Sequence, residues 1–300
     1  MVATTGSSPG LLPTLRAYSG LRVREARADP TVETLGRLGS LEVKLARKAA
    51  DVRRAQKLRY RVFYQEMSAI ADAGTSFARR DVDAFDAMCD HLVVVEHAPT
   101  SRIMRPRPAV VGTYRLLRQA VAERHGGFYT ANEFDIGTLI ARHRGLRFLE
   151  LGRSCVLPAY RNKRTVELLW HGIWTYVLRH RCEVLIGCAS LDGTDPDRLA
   201  LPLAFLHHFA AAPEPWRTRA LPERYMEMNR MPKEAIDPKA AIKELPPLIK
   251  GYLRLGASIG DGAVVDRQFG TIDVLIVLPI AAINARYIEH FGASATRHAA

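Results

Sequence analysis

Apolar and polar residues alternate from Leu41 through Val43 to Leu45, which predicts a first strand over 41–46. The pattern then changes period. Val52, Ala55, Leu58, Val62 and Phe63 recur at three and four, so 51–67 reads as a basic amphipathic helix. Residues 68–90 are polar and carry Gly74 and several acids, and a long loop of this kind is expected to be mobile and to lie over a functional site. Strands are predicted at 91–96 and 110–117, joined by a basic, proline-bounded turn over 99–108, and a short helix at 136–142. Residues 146–156 read as a strand with a splay. Val166, Leu169, Trp170, Ile173, Val177 and Leu178 then fall at helical spacing over 165–180. The unbroken apolar run over 183–189 fits a strand covered on both faces. A helix is expected over 195–210, with Asp195 as its cap and Pro196 at its first position. Residues 213–247 are rich in proline and should be irregular. A short helix over 248–255, strands at 263–265 and 271–278, and a closing helix at 281–290 complete the pattern.

This order of elements predicts an α/β (α+β) fold, helices flanking a twisted sheet, with no internal repeat. Residues 1–35 are rich in Gly, Ser, Pro, Thr and Ala and read as a flexible N-terminal tail; 36–292 form the single predicted domain, and 293–300 a C-terminal tail.

Composition narrows the class. An apolar fraction of 48% suffices for a full core. No apolar run is long enough to cross a bilayer, and the first 30 residues lack the basic start and apolar core of a signal peptide, so a cytoplasmic location is expected. Cys89, Cys155, Cys182 and Cys188 form no CxxC pair and read as reduced thiols. The net charge of +12 and a pI near 9.8 favour an acidic partner: nucleic acid, an anionic membrane or an acidic carrier protein. No helix-turn-helix, zinc finger or aromatic RNA-binding strand is present, so nucleic acid is not expected.

The chemistry concentrates at the strand-to-helix join, where Glu150, Arg153, Pro158 and Arg161 stand close in sequence. A turn feeding a helix offers backbone N–H groups and the positive end of the helix dipole, which suits a phosphate or pyrophosphate. Arg161, Lys163 and Arg164 add side-chain charge there. His207 and His208 sit among apolar residues with no further ligands nearby and read as an ordinary histidine pair, not a metal site. Cys155 has no His or Asn constellation to make it a nucleophile, and Trp170, Trp174 and Phe205 read as core. There is no Walker loop and no GxGxxG. Asp261-Gly262 suggests a tight turn, and Asp266 fits either a turn or an amine-binding role.

Val156-Leu157-Pro158-x-x-Arg161 followed by a helix resembles the acyl-donor loop of the GCN5-related N-acyltransferases. Glu150-x-x-Arg153 resembles the Glu-x-x-Arg pair of the autoinducer synthases. The wider wording over 58–67, 83–95, 110–117, 148–160, 187–190 and 252–278 is similar to the bacterial ornithine Nα-acyltransferases, and the resemblance spans about 40 to 292. It implies a twisted mixed sheet flanked by helices. It further implies transfer of a (3-hydroxy)fatty acyl chain from acyl carrier protein to the α-amine of L-ornithine, giving lyso-ornithine lipid. No cofactor would be bound; the acyl donor rides on the 4′-phosphopantetheine of the carrier. By the same resemblance Glu150 and Arg153 are the catalytic pair, Glu150 as base and Arg153 orienting it or holding a carboxylate. Arg59, Phe63, Asp83, Asp86 and Arg115 line the amine cleft, and Val156, Arg161, Lys163 and Arg164 hold the phosphopantetheine.

Elementary chemistry agrees in kind. Ornithine carries a carboxylate, an α-amine and a distant cation, so its site needs an arginine fork, met by Arg59 or Arg115, and carboxylates, met by Asp83, Asp86 or Asp90. Autoinducer synthases carry a tryptophan shortly after the first-helix Phe; here the tryptophans are Trp170, Trp174 and Trp216, which speaks against S-adenosylmethionine as substrate. The product is amphiphilic, so loose attachment to the inner membrane face is expected. Two alternatives stand: a synthase of another N-acyl amino acid or an acyl-homoserine lactone, and a non-catalytic module that binds carrier protein or lipid.

Overall fold

A computed structural model describes residues 34–97 and 108–283. The expected tails (their 1–33 and 293–300), the basic turn over 99–107 and the closing helix beyond 283 lie outside the described residues.

The alternation at 41–45 becomes strand β2 (Leu41–Leu45), and it is not the first. β1 (Thr34–Leu38) precedes it, paired antiparallel through the turn at Gly39 and starting inside the expected tail. β3 (Asp90–Glu96), β4 (Ala109–Arg118), β5 (Phe148–Val156), β6 (Val184–Asp192), β7 (Ser258–Asp266) and β8 (Thr271–Pro279) complete one eight-stranded sheet in the order β1-β2-β3-β4-β5-β6-β8-β7. Every neighbouring pair is antiparallel except β5–β6.

Helices cover both faces. α1 (Ala49–Tyr60) continues into a π-helical turn at Arg61–Glu66 and sets Ala55 against Val93 and Val95, and Leu58 and Val62 against Cys155. α2 (Ala73–Ala78) and α3 (Gln119–Ala122) are short, and α4 (Ile136–Arg142) packs Ile136 and Leu139 under Phe148, Val184 and Ile186. On the opposite face α5 (Lys163–His180) buries Leu168, Leu169, Ile173, Trp174, Tyr176 and Val177 over β2, β3 and β4. Val166 and Leu178, expected on that stripe, are exposed. Glycine lets α5 approach β1 and β2 closely: a Cβ on Gly36 of β1 would stand 2.5 Å from the His171 ring, and one on Gly172 of α5 would stand 2.7 Å from Val43 of β2.

Three other expectations change. The helix after β6 is α6 (Ala200–Phe209), shorter than 195–210, because Asp195 accepts from the Asp197 amide and closes a turn ahead of it. The proline-rich segment holds α7 (Pro238–Glu244), whose Pro238 sits at the first helical position under Asp237 as cap. It leads into α8 (Pro247–Leu255), which ends on Gly256 at φ +98. Gly260, Asp261 and Gly262 do not turn the chain; they bulge β7 between Ile259 and Ala263.

The pairing of β5 with β6 positions the site. Only Phe148↔Val184, Leu149↔Leu185 and Glu150↔Ile186 are in register, after which the strands part while β5 stays joined to β4 as far as Val156. A small cavity opens at the parting, lined by Leu151, Gly187, Cys188 and Tyr252 among others. Gly187 is the hinge of this gap: a Cβ there would stand 2.3 Å from the backbone carbonyl oxygen of Leu151.

Candidate active site

β5 does not run straight past β4. Two residues of β5, Arg153 and Ser154, stand opposite the single residue Tyr114, and Arg153 takes the left-handed conformation at φ +49. A non-glycine residue there costs about 1–3 kcal/mol, which the surroundings must over-determine. Here they do. The Arg153 guanidinium lies 4.6 Å over the Phe269 ring and 5.1 Å over the Tyr129 ring. It donates to Asp83 at 3.2 Å and stands 3.5 Å from Asp81.

Arg153 is one of three arginines facing three aspartates. Arg59, from α1, grips Asp86 with both terminal nitrogens at 2.7 and 2.8 Å, and its Nε stands 2.7 Å from Asp81 as an ion pair outside hydrogen-bond angles. Arg115, from β4, donates to both oxygens of Asp83 at 2.6 Å and reaches Asp86 at 3.3 Å. Gln56 and Tyr64 close the rim, on Asp86 and Asp81 respectively. The six charges sum to zero, the condition under which so buried a set is tolerated. Burial alone would raise the Asp86 carboxyl; the Arg59 and Arg115 guanidiniums outweigh it and hold it at about 2.

The 68–90 segment is therefore drawn into the site. Asp81, Asp83 and Asp86 are tied to arginines on α1, β4 and β5, and Asp83 caps the 3-10 turn Ala84–Ala87, whose own Asp86 accepts in return from the Asp83 amide. Of the acids expected in the cleft, Asp83 and Asp86 are there. Asp90 is not: it accepts from Tyr176 and pairs with Arg118. Phe63 stands edge-on at 5.6 Å to Phe269, the ring that Arg153 covers.

Glu150 and Arg153 do not pair with each other. The buried Glu150 carboxylate accepts from the Tyr129 amide at 3.1 Å, from the Thr130 amide at 2.6 Å and from the Thr130 hydroxyl. Its link to Arg153 runs through Tyr129, whose amide Glu150 holds and whose ring Arg153 covers. Burial raises its pKa, opposed by those three donors.

At the other end of β5, Val156 leads through the 3-10 turn Pro158–Tyr160 into α5, capped by Asn162 accepting from Thr165. Arg161 donates its Nε to the Val156 carbonyl at 3.0 Å and pairs with Glu66 at 2.5 Å. Lys163 is exposed and 3.6 Å from Glu167. Arg164 lies apart from Arg161, its guanidinium against Gly39 in the β1–β2 turn. Cys155 is buried and its thiol is pushed up to about 12, as suits a core residue and not a nucleophile. His208 hydrogen-bonds Asn229 and the Met231 carbonyl, an ordinary surface pairing.

Several site residues were not legible in the sequence. Asp81, Tyr129 and Phe269 complete the arginine network. Glu133, Asp266 and Asp273 bring carboxylate oxygens within 4.8 Å of one another beside Cys188. Of these only Asp266 had an amine-binding expectation; in the structure it accepts from the Gln268 and Phe269 amides and so also makes the turn.

A family model described as Acetyltransferase (GNAT) domain matches residues 58–171, the stretch from the end of α1 to the middle of α5. Over 290 residues, 97% of this chain and 96% of the other, the sequence is 53% identical to an L-ornithine N(alpha)-acyltransferase of Rhizobium meliloti. The chain belongs to the L-ornithine Nα-acyltransferase family. Two further members are each 51% identical to it: one from Brucella abortus, over 93% of this chain and 99% of the other, and one from Agrobacterium fabrum, over 91% and 92%. As a member of this family the chain is an acyltransferase, and the expected mixed sheet flanked by helices is the one observed.

Proposed function

We propose that this chain transfers a 3-hydroxyacyl group from acyl carrier protein to the α-amine of L-ornithine, giving lyso-ornithine lipid and the free carrier thiol. The observation that carries the reading is kinship at 53% identity across almost the whole chain with a protein of that name. The geometry supplies a matching place. The parted strands β5 and β6 leave a gap that an extended pantetheine arm would enter, and the donor turn at Arg161 and Lys163 lies at the end of β5. There Val156, Arg161, Lys163 and the first amides of α5 would meet the phosphate, with Arg161 exchanging Glu66 for it, while Arg164 would have to leave Gly39 to join them.

On the substrate side, Arg153 is the least enclosed of the three arginines, its side chain 13% exposed against 1% for Arg59 and 4% for Arg115. Arg153 therefore meets the ornithine carboxylate, with Arg59, Arg115, Asp83 and Asp86 holding it in place and Phe63 beneath. Glu150 fixes the turn that carries Tyr129 against it. The net charge of +12 suits an acidic carrier protein and an anionic surface. We place the enzyme in the cytoplasm with peripheral contact at the inner membrane face; among the described residues no helix is long and apolar enough to cross a membrane.

The test is incubation of the purified chain with 3-hydroxyacyl carrier protein and ornithine, following free thiol. Lysine, glutamine and S-adenosylmethionine run alongside, as does 3-hydroxyacyl coenzyme A in place of the carrier. Ornithine-dependent release from the carrier is expected to exceed every other combination. Release only with another amine would overturn the substrate, and release only from coenzyme A would overturn the donor.

A further inference from the structure

The reaction needs a neutral amine, and an α-ammonium must first lose a proton. The sequence points to Glu150 for that task, yet both Glu150 oxygens already accept hydrogen bonds, from two amides and a hydroxyl. A second buried glutamate stands on the same turn. Glu133 follows the 3-10 turn Tyr129–Asn132 that Glu150 anchors, and it is 2% exposed. Among the described residues one of its oxygens accepts from the Cys188 thiol alone, at 3.1 Å, and the other faces Arg224 at 3.5 Å. Cys188 itself lines the cavity where β5 and β6 part. The strand registers Glu150↔Ile186, Cys188↔Leu275 and Ser190↔Asp273 put Glu150, Cys188 and Asp273 on one face of the sheet, the face the Glu133 carboxylate approaches.

We propose that Glu133 is the group that takes the proton from the attacking α-amine. This rests on the acyl-transfer reading above and names a residue for it. The ammonium gives one proton to the Glu133 carboxylate. The freed nitrogen pair attacks the thioester carbonyl, the N–C bond forms, and the C–S bond breaks with its electron pair on sulfur. The second nitrogen proton goes to that sulfur, and the proton held on Glu133 leaves to solvent, so amide, thiol and one released proton balance the equation.

The surroundings suit the task. Burial, then the charge of Asp273 on β8, raise the Glu133 carboxyl to about 7, with Asp266 at the end of β7 adding to them. The Cys188 thiol on β6 and Arg224 oppose this without reversing it. A base is most effective when its pKa lies near the working pH.

The experiment is steady-state kinetics of the wild type and Glu133→Gln from about pH 6 to about pH 9, with saturating acyl carrier protein. The wild-type kcat is expected to rise with pH through a limb near 7. In the variant that limb disappears and kcat falls about 100-fold or more, with KM for ornithine little changed. Folding is checked separately. A carboxyl raised from 4.5 to about 7 stabilises the fold below about 4.5 and loses that contribution as pH rises through about 7, so the variant should melt no lower than wild type at pH 8. A variant that keeps both rate and limb overturns the proposal. So does one that only raises KM for ornithine, which would make Glu133 a holder of the substrate's distant ammonium. A wild type active on a different amine sinks the ornithine reading and leaves the Glu133 expectation to be met with that amine; a wild type silent with every amine overturns both.

Discussion

Replacing Arg59 by Ala should cost about 3–5 kcal/mol of folding stability, the penalty for stranding buried charge. The Arg59 side chain is 1% exposed and is the partner of two carboxylates, Asp81 and Asp86, themselves 4% and 6% exposed. Its loss leaves the cluster with net negative charge that water cannot reach. The effect has a pH signature. Asp86 is depressed from 3.8 to about 2, so its contribution is fully present above about 4 and is lost as pH falls through about 2. A shift of that size corresponds to about 2 kcal/mol. Urea unfolding at pH 7 and again near pH 3 should therefore show the gap between wild type and Arg59→Ala narrowing at the lower pH. A gap of the same size at both, or a variant as stable as wild type at pH 7, would mean that the network does not hold α1 and the 81–86 segment together.

Among the described glycines, Gly187 is where an added methyl group, as in Gly187→Ala, should do most damage. The new Cβ would stand 2.3 Å from the Leu151 carbonyl oxygen, which is backbone and has no rotamer to yield. Strand β5 or β6 must move, at the point where the two part. Overpacking of this kind costs about 1–3 kcal/mol. The larger loss is functional: displacing the reacting groups by about 1 Å costs about 100-fold, so kcat/KM with carrier and ornithine should fall by about that factor while a folded fraction remains measurable. Gly251→Ala is the matched control, because α8 leaves open space at that position. It should keep full activity and gain up to about 1 kcal/mol from helix propensity. Equal activity in the two variants would show that the gap between β5 and β6 is not where the thioester lies.

The parts of the fold legible in the sequence were those written locally. The alternation of 41–45, the apolar run of 183–189 and the stripe of α5 each encode their element within a few residues. β1 escaped because Thr34–Leu38 carries a glycine and an arginine in five residues, and the reason for Gly36 is a histidine ring on α5, far along the chain. The site divides in the same way. The ends of β5 could be read from Glu150, Arg153, Val156 and Arg161. Asp81 could not: in the run Arg79-Arg80-Asp81-Val82-Asp83 it resembles any solvated acid, and only folding brings it against Arg59 and Arg153. Glu150 and Arg153 invite a pairing by their spacing, but the bulge at Arg153 turns its side chain toward Asp81 and Asp83 and away from Glu150. Glu133 had no local signal either, since the groups that set its charge stand at Cys188, Asp266 and Asp273, on three strands far along the chain.

The most direct test of the account is the position of the acyl group in the product. Fragmentation of the acylornithine formed from 3-hydroxyacyl carrier protein should place the amide on the α-nitrogen and leave the δ-amine free, as an enzyme that grips the carboxylate through Arg153 beside the parted strands requires. An amide on the δ-nitrogen would mean that ornithine enters the other way round, and the assignment of Arg153 to the carboxylate would be wrong.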